Sequence, residues 1–124
     1  MNPADLFSHE TNPVRLAPGE VLFKAGDAPD AMYVLLEGSL AVQVGDKLVE
    51  NATRGAIIGE MALIDHSPRA ATVTASTAAS LAKLDERRFQ RLIQQNPFFA
   101  THVMKTLADR IRFMDRLLTE SKVS

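Results

Sequence analysis

The hydrophobic pattern divides the chain into a central region of short apolar runs and a C-terminal region with longer, helix-like spacing. Between Val14 and Leu84 each apolar run is only a few residues long, and glycine-containing turns separate the runs. This spacing is typical of a compact all-β barrel or roll, so we predict a β-roll over residues 14–84. The separating turns are Pro18-Gly19, Gly26-Asp27, Gly38, Gly45-Asp46 and Gly55.

The clearest hairpin lies in the middle of this region. Leu40, Val42 and Val44 alternate with small or polar residues, and Leu48 resumes the pattern after Gly45-Asp46. A two-residue loop that begins with glycine favours a type II′ or I′ turn. The sequence therefore predicts two antiparallel strands joined at Gly45-Asp46.

Helical spacing replaces the β pattern near the C-terminus. Asp85 is a predicted N-cap for a helix over residues 85–95, and Pro97 opens a second helix over residues 97–118. Apolar residues of the second helix recur at alternating spacings of three and four, which favours a coiled-coil seam and a homodimer with parallel helices. The seam residues are Met104, Leu107, Ile111, Met114 and Leu118.

The N-terminus adds one short element. Asn2 before Pro3 is typical of an N-cap followed by a first-turn proline, so we predict a helix over residues 3–9. The whole pattern predicts a mainly β fold with flanking helices (α+β). Within that class we expect a jelly-roll-like β-roll or barrel with a short N-terminal helix and two C-terminal helices.

Composition limits the possible classes of function. A chain of 124 residues with 46% hydrophobic residues suits one folded domain over residues 1–124. A net charge of −1 with interspersed signs gives no electrostatic footprint for DNA or an anionic membrane, and no apolar run approaches membrane-spanning length. The chain has no cysteine, which excludes disulfides and thiolate zinc sites. We expect a soluble, cytoplasmic protein without direct DNA or membrane binding.

Candidate chemistry is concentrated between Ile58 and Val73. Arg69 begins the apolar face of an alternating segment, and a buried arginine needs an acidic neighbour or a bound anion because it cannot lose its proton. Upstream, Gly59 leads into a predicted single helical turn whose first backbone amides can face an anion. With the Glu60 carboxylate available to accept from hydroxyls, the segment favours a phosphate attached to a sugar.

This segment resembles the phosphate-binding cassette of cyclic-nucleotide-binding domains, which occur in protein kinase A regulatory subunits, the bacterial catabolite activator protein and cyclic-nucleotide-gated channels. The resemblance rests on Gly-Glu-Met-Ala-Leu, followed by Pro-Arg-Ala-Ala-Thr-Val, and on the spacing between Glu60 and Arg69. It implies the β-roll fold already expected from the pattern. It extends to residues 19–27, 32–38 and 54–55 and covers roughly residues 14 to 118.

The resemblance implies a role for each cassette residue. Glu60 accepts a hydrogen bond from the ribose 2′-hydroxyl, Arg69 binds the cyclic phosphate, and Gly59 lets both groups approach closely. The residues alone leave alternatives open: Glu60 can be an acid stabilised by a helix dipole, and Arg69 can form a structural ion pair with Glu60 or another acid. Further donors implied by the motif are the backbone amides of Met61, Ala62 and Ala71.

The resemblance also bears on the base of the nucleotide. Relatives that prefer cyclic GMP often place a hydroxyl at the position of Ala70, so alanine favours cyclic AMP, with cyclic GMP as the alternative ligand. Val49 lies on the strand that lines the pocket in relatives, although an apolar strand residue is usually core. Met114 and Asp115 fall near the lid position on the last helix, and Met114 is also a seam residue.

We therefore predict a non-catalytic cyclic nucleotide sensor that couples ligand binding to movement of the C-terminal helix or to dimerisation. His9, His66 and His102 lack metal-ligand spacing, so no metal, cofactor or catalytic residue is predicted. Two alternatives remain: an interaction module that dimerises without binding nucleotide, and a sensor fragment of a larger transcription factor or channel. The sequence does not identify the effector.

Overall fold

The computed structural model describes the backbone of residues 2–123 and the side chains of residues 2–119. Eight strands form two antiparallel sheets of four strands each, in the orders β1-β8-β3-β6 and β2-β7-β4-β5. This confirms the predicted β-roll with flanking helices. The strands are β1 Val14–Leu16, β2 Val21–Phe23, β3 Met32–Glu37, β4 Leu40–Val44, β5 Lys47–Ala52, β6 Ile57–Ile58, β7 Thr72–Ala75 and β8 Ala79–Leu84.

The helices are short at the N-terminus and in the roll, and long at the C-terminus. A 3-10 helix spans Pro3–Phe7, α1 spans Met61–Ile64, α2 spans Glu86–Gln95 and α3 spans Pro97–Val123. The α3 helix thus continues past its predicted end at residue 118. The predicted caps form: the Asn2 side chain accepts from the Ala4 amide at 2.9 Å, and that of Asp85 accepts from the Arg88 amide at 2.8 Å.

The central hairpin contains the two antiparallel strands predicted on either side of Gly45-Asp46, with a register shift between Val42 and Gln43. Val44 pairs with Lys47 across the Gly45-Asp46 loop, and Leu40 pairs with Ala52 at the other end of β4. Gly45 has a φ of 63°, a left-handed value that glycine adopts without the steric cost of a Cβ atom. The hairpin places Val49 on β5, half-buried against the core.

The core of the roll is built from the inner faces of both sheets. Residues that are buried on β3 and β8 form one cluster with residues that are buried on β4 and β7. Alternation along β7 buries Val73 and Ala75, as the sequence pattern predicts. The cluster contains Leu16, Ala31, Tyr33, Leu35, Leu40, Val42, Ala52, Ile58, Val73, Ala75, Ala79 and Leu81.

The chain forms two compact units that divide between Gln90 and Arg91, within α2. The first unit contains the roll and the segment resembling a phosphate-binding cassette. The second contains the rest of α2 and all of α3. That residues 1–124 act as a single domain stays a prediction.

Candidate functional site

The turn between β6 and α1 brings the main chain close to a buried guanidinium. Gly59 follows β6 with a φ of 74°, and a Cβ atom at this position would overlap Nη1 of Arg69. Glycine is therefore favoured both by the backbone conformation and by the space that the arginine occupies. The sequence predicted the turn and the close approach, but not that this chain's own arginine is the approaching group.

Glu60 lies directly before α1 and is completely buried, with 0% of its surface exposed. Its carboxylate makes no capping hydrogen bond to α1, even though the residue occupies the N-cap position. The missing capping bond does not decide between ligand binding and the alternative that Glu60 is an acid stabilised by the helix dipole, so both stay open. A carboxylate at this depth needs hydrogen-bond donors or a cation nearby.

Arg69 is the other buried charged residue in the described part of the chain, and its side chain is 3% exposed. Its Nη2 donates to the main-chain oxygen of Ala31 at 2.6 Å and to Oδ1 of Asp30 at 3.0 Å. Its Nη1 donates to the main-chain oxygen of Gly59 at 3.3 Å. The acidic neighbour expected from the sequence is thus Asp30.

The ion pair with Asp30 compensates the arginine only in part. The Asp30 side chain is 64% exposed, and its Oδ2 lies 4.0 Å from Nζ of Lys83. An exposed carboxylate shared between two cations contributes little to stability. Among residues 2–119, no acceptor is present for the buried Nε of Arg69. One of the five donors of the guanidinium therefore has no protein acceptor within that range.

Two aromatic rings complete the surroundings of Arg69. Its Cζ lies 4.1 Å from the ring centroid of Phe23 and 5.9 Å from that of Tyr33. The ring quadrupole attracts a cation at such distances, more strongly when water is excluded. Burial raises the pKa of the Tyr33 phenol above 10.0, and the Asp30 carboxylate raises it further, whereas the Arg69 charge lowers it.

Backbone pairing between two distant segments holds this group together. The Arg69 amide donates to the Asp27 oxygen at 3.0 Å, and the Gly26 amide donates to the Arg69 oxygen at 2.8 Å. On the same ladder, Phe23 of β2 pairs with Val73 of β7. The turn after β2 is therefore fixed against the residue that carries the guanidinium.

The other predicted cassette residues differ from one another in solvent exposure. Met61 is 45% exposed, whereas Ala62 is buried. The Ala62 amide donates to the Gly59 oxygen at 3.2 Å, so an anion would have to share or replace that hydrogen bond. Ala70 is exposed and Ala71 is half-buried. The structure thus brings Gly59, Glu60 and Arg69 into one buried region, with α1 beside it.

The predicted lid residues lie in the second unit. Met114 is 55% exposed on α3, and Asp115 beside it is also exposed. Their lid role stays a prediction. Sequence reasoning missed Phe23, Asp30 and Tyr33, which all contact or face Arg69. Asp30 could have been found from the sequence, because an acid two residues before a buried strand can pair with a buried cation.

Comparison with known proteins identifies the family. The family model of the cyclic nucleotide-binding domain matches residues 13–96. The chain belongs to this family. The match covers the β-roll and the whole of α2, including Glu60, Arg69 and the three aromatic or acidic residues that surround Arg69.

Relatives of this cyclic nucleotide-binding domain include regulatory subunits and channels. A cyclic nucleotide-gated potassium channel of Rhizobium etli is 39% identical over 97 residues, covering 77% of this chain and 27% of the channel. The cAMP-dependent protein kinase type II regulatory subunit of Drosophila melanogaster is 29% identical over 103 residues, covering 83% of this chain and 27% of the subunit. The chain therefore spans about a quarter of the length of these curated relatives.

Solved structures share the fold. The structure of cAMP-bound PfPKA-R matches with a TM-score of 0.75 at 25% identity, covering 86% of this chain and 36% of that one. Among residues 2–123, no helix is both long and apolar enough to cross a membrane. Among the side chains of residues 2–119, no group of three or more His, Asp or Glu could hold a metal ion.

Proposed function

We propose that this domain is a non-catalytic, cytoplasmic sensor that binds a cyclic nucleotide, preferably cAMP, in the segment from Gly59 to Ala71. One observation carries the proposal: a guanidinium lies buried beside the cassette glycine, with a donor, Nε of Arg69, for which residues 2–119 supply no acceptor. A buried donor left without an acceptor costs free energy, and an anionic oxygen would remove that cost.

In this proposal Arg69 binds the cyclic phosphate and Glu60 accepts from the ribose 2′-hydroxyl. An ionised carboxylate can only accept hydrogen bonds, and a sugar hydroxyl can donate one. The buried position of Glu60 favours a partner inside the roll over solvent. The amides of Met61, Ala62 and Ala71 supply further donors, with Ala62 giving up its bond to Gly59.

Ligand binding in this arrangement exchanges partners. Asp30 is mostly exposed and has Lys83 as a second cation, so a phosphate can take its place beside Arg69 at small cost. The carbonyl oxygens of Ala31 and Gly59 keep their donors during the exchange. A ligand that displaces Asp30 changes the conformation of the loop before β3. Ligand binding is thereby coupled to a structural change.

The proposal also includes the preferred base of the nucleotide and the way in which binding is signalled. Ala70 offers no hydroxyl to a guanine, which favours cAMP over cGMP, and Val49 contributes apolar surface on β5. Met114 and Asp115 on α3 would cover the base. Pairing of two copies along the exposed face of α3 would convert occupancy into dimerisation, and the effector would be a protein partner rather than DNA or a membrane.

The decisive experiment compares calorimetric titrations of wild type and Arg69→Ala with cAMP and cGMP. Charge-assisted hydrogen bonds contribute about 1.5 to 3 kcal/mol each, so Arg69→Ala is expected to weaken cAMP binding by roughly one to two decades or more. Arg69→Lys should recover only part of the affinity, because an ammonium lacks the planar fork of donors.

Arg54→Ala is the matched control. Arg54 lies in the same unit and pairs with Asp5 at 2.8 Å, but its side chain is 51% exposed and it is not part of the cassette. It should bind cAMP as wild type does. Unchanged cAMP affinity in a folded Arg69→Ala variant would reject the assignment of the phosphate site.

A second candidate is an interaction module that pairs through α3 without binding nucleotide. The observation that favours it is the exposure of four seam residues: Met104 (61%), Ile111 (62%), Met114 (55%) and Leu118 (59%). This candidate requires that neither cAMP nor cGMP raises the melting temperature of the wild-type protein. A ligand-dependent shift would exclude it.

A further inference from the structure

The ring of Phe23 is the aromatic surface nearest to the buried guanidinium. Its centroid lies 4.1 Å from Cζ of Arg69, compared with 5.9 Å for the ring of Tyr33. Because the Arg69 side chain is only 3% exposed, water screens this contact very little. Phe23 and Arg69 therefore interact in a desolvated setting, where cation–π contacts are strongest.

The fold fixes the two groups against each other through a common ladder. Phe23 pairs with Val73 across β2 and β7, and the Gly26 amide donates to the oxygen of Arg69 itself. Both ends of the contact are thus attached to backbone that is hydrogen-bonded on either side. The backbone positions from which the ring and the guanidinium extend are therefore fixed relative to each other.

The other contacts of Arg69 leave one direction of movement unrestrained. Hydrogen bonds to Asp30, Ala31 and Gly59 involve donors that lie in the guanidinium plane, so they resist movement within that plane. The bond to Gly59 is long at 3.3 Å, and Asp30 is mostly exposed. Movement out of that plane is limited by contacts other than these hydrogen bonds, and the nearer aromatic contact is the Phe23 ring, whose centroid lies 4.1 Å from Cζ.

We infer that Phe23 is a positioning residue for anion recognition: its ring holds the guanidinium of Arg69 so that its donors stay aimed at the phosphate when Asp30 is displaced. This inference rests on the proposed function of the cassette. It adds a residue of β2, outside the cassette, to the determinants of nucleotide affinity.

The experiment compares cAMP titrations of wild type, Phe23→Leu, Phe23→Tyr and Phe7→Leu. Phe23→Leu keeps apolar volume and removes the ring, and should weaken binding about ten-fold, the size expected for a desolvated cation–π contact. Phe23→Tyr keeps a ring and should stay within about two-fold of wild type. Phe7→Leu is the matched control, because Phe7, which is more buried than the partly buried Phe23, also lies beside an arginine, with Arg88 Cζ 5.4 Å from its ring.

Equal losses in Phe23→Leu and Phe7→Leu would overturn the inference, since a general loss of packing would then explain both. A double-mutant comparison supplies a stricter test. If Phe23 acts through Arg69, Phe23→Leu should cause no further loss of affinity in the Arg69→Ala background. An undiminished ten-fold loss in that background would also overturn the inference.

A ligand-free readout separates this inference from the proposed function. In nitrogen–proton correlation spectra, the Arg69 Nε–Hε resonance, assigned with Arg69→Lys, should carry a ring-current shift that Phe23→Leu abolishes and Phe7→Leu does not. Absence of cAMP and cGMP binding by wild type would reject the proposed function. An Arg69 resonance unchanged by Phe23→Leu would reject the positioning role. If Phe23→Leu does not fold, Phe23→Met serves both measurements.

Discussion

Two main-chain oxygens and one carboxylate accept hydrogen bonds from Arg69, so an acid alone does not compensate its charge. Hydrogen bonds to charged groups contribute about 1.5 to 3 kcal/mol each, whereas an exposed ion pair contributes about 0 to 1 kcal/mol. The buried bond to the Ala31 carbonyl oxygen, at 2.6 Å, therefore holds the guanidinium more firmly than Asp30 does. A nucleotide phosphate can replace Asp30 and leave the bond to Ala31 in place.

Gly59→Ala tests the close approach at this position. The new Cβ would meet the far end of the Arg69 side chain, which can move, so the main effect should fall on the position of the guanidinium. We expect cAMP affinity to fall about ten-fold or more, the loss of at least one charge-assisted hydrogen bond. Calorimetric titration measures the affinity, and urea unfolding measures the stability.

Gly45→Ala is the matched control for the backbone. Gly45 also has a positive φ, 63°, but a Cβ there would meet nothing within 4 Å. Both variants should lose about 1 to 2 kcal/mol of unfolding free energy from the left-handed conformation, and only Gly59→Ala should lose affinity. Identical affinities in the two variants would mean that the space beside Gly59 does not position Arg69.

At the scale of elements, the pairing of β2 with β7 determines which residues surround Arg69. Local signals in the sequence sufficed for the Gly45-Asp46 hairpin and the Asn2 cap, because each depends on residues next to one another. They also sufficed to predict that Arg69 is buried and needs a partner. Arg69 lies three residues before β7, so the strand begins later than the pattern from Pro68 onward predicts, but the place of Arg69 in that alternating apolar pattern was enough to predict its burial.

The identity of the partners could not be predicted in the same way. Asp30 and Arg69 are separated by 39 positions in the chain, and Phe23 reaches Arg69 only through the β2–β7 register. Strand register depends on the whole hydrophobic pattern and on turn geometry, not on the residues that become neighbours. Ala31 and Gly59 accept through main-chain oxygens, which every residue has, so their residue types do not indicate this role.

The α3 helix carries its own prediction, which rests on the proposed pairing of two copies. Ile111 is 62% exposed at the middle of the predicted seam. Ile111→Glu places like charges opposite each other in a parallel pair and removes apolar contact, so a dimeric wild type should become monomeric. Light scattering or sedimentation over a range of protein concentrations measures the change.

Thr101→Glu adds the same charge to an exposed position of α3 outside the seam and should leave the mass in solution unchanged. Two results speak against pairing through this face. One is a wild-type protein that stays monomeric at every concentration with and without cAMP. The other is an Ile111→Glu variant that remains a dimer.

At the scale of the whole molecule, the pH dependence of stability reports on the core around the cassette. Tyr33 is the chain's single tyrosine, and burial raises its pKa above 10.0 in the folded state. A raised folded pKa means that the stability contribution is complete below the ordinary pKa and is lost as the pH rises through the folded value. Unfolding free energy should therefore decline at pH above 10.0.

Tyr33→Phe removes this contribution, so its unfolding free energy should decline less than that of wild type over the same alkaline range. Urea unfolding at several pH values measures the difference, which cancels the effect of lysine titration common to both proteins. Near-ultraviolet absorbance, with one tyrosine and no tryptophan, follows the phenol directly. A phenol that titrates at or below 10.0 would contradict the buried setting.

The enclosure of Arg69 has a consequence for kinetics. Its charge is buried beside a carboxylate, and the chain as a whole carries a net charge of −1, so the protein projects little positive potential into solvent. A cyclic nucleotide would then arrive by unassisted diffusion, with an association rate constant that varies little with ionic strength. Differences in affinity between ligands would then come mainly from their dissociation rate constants.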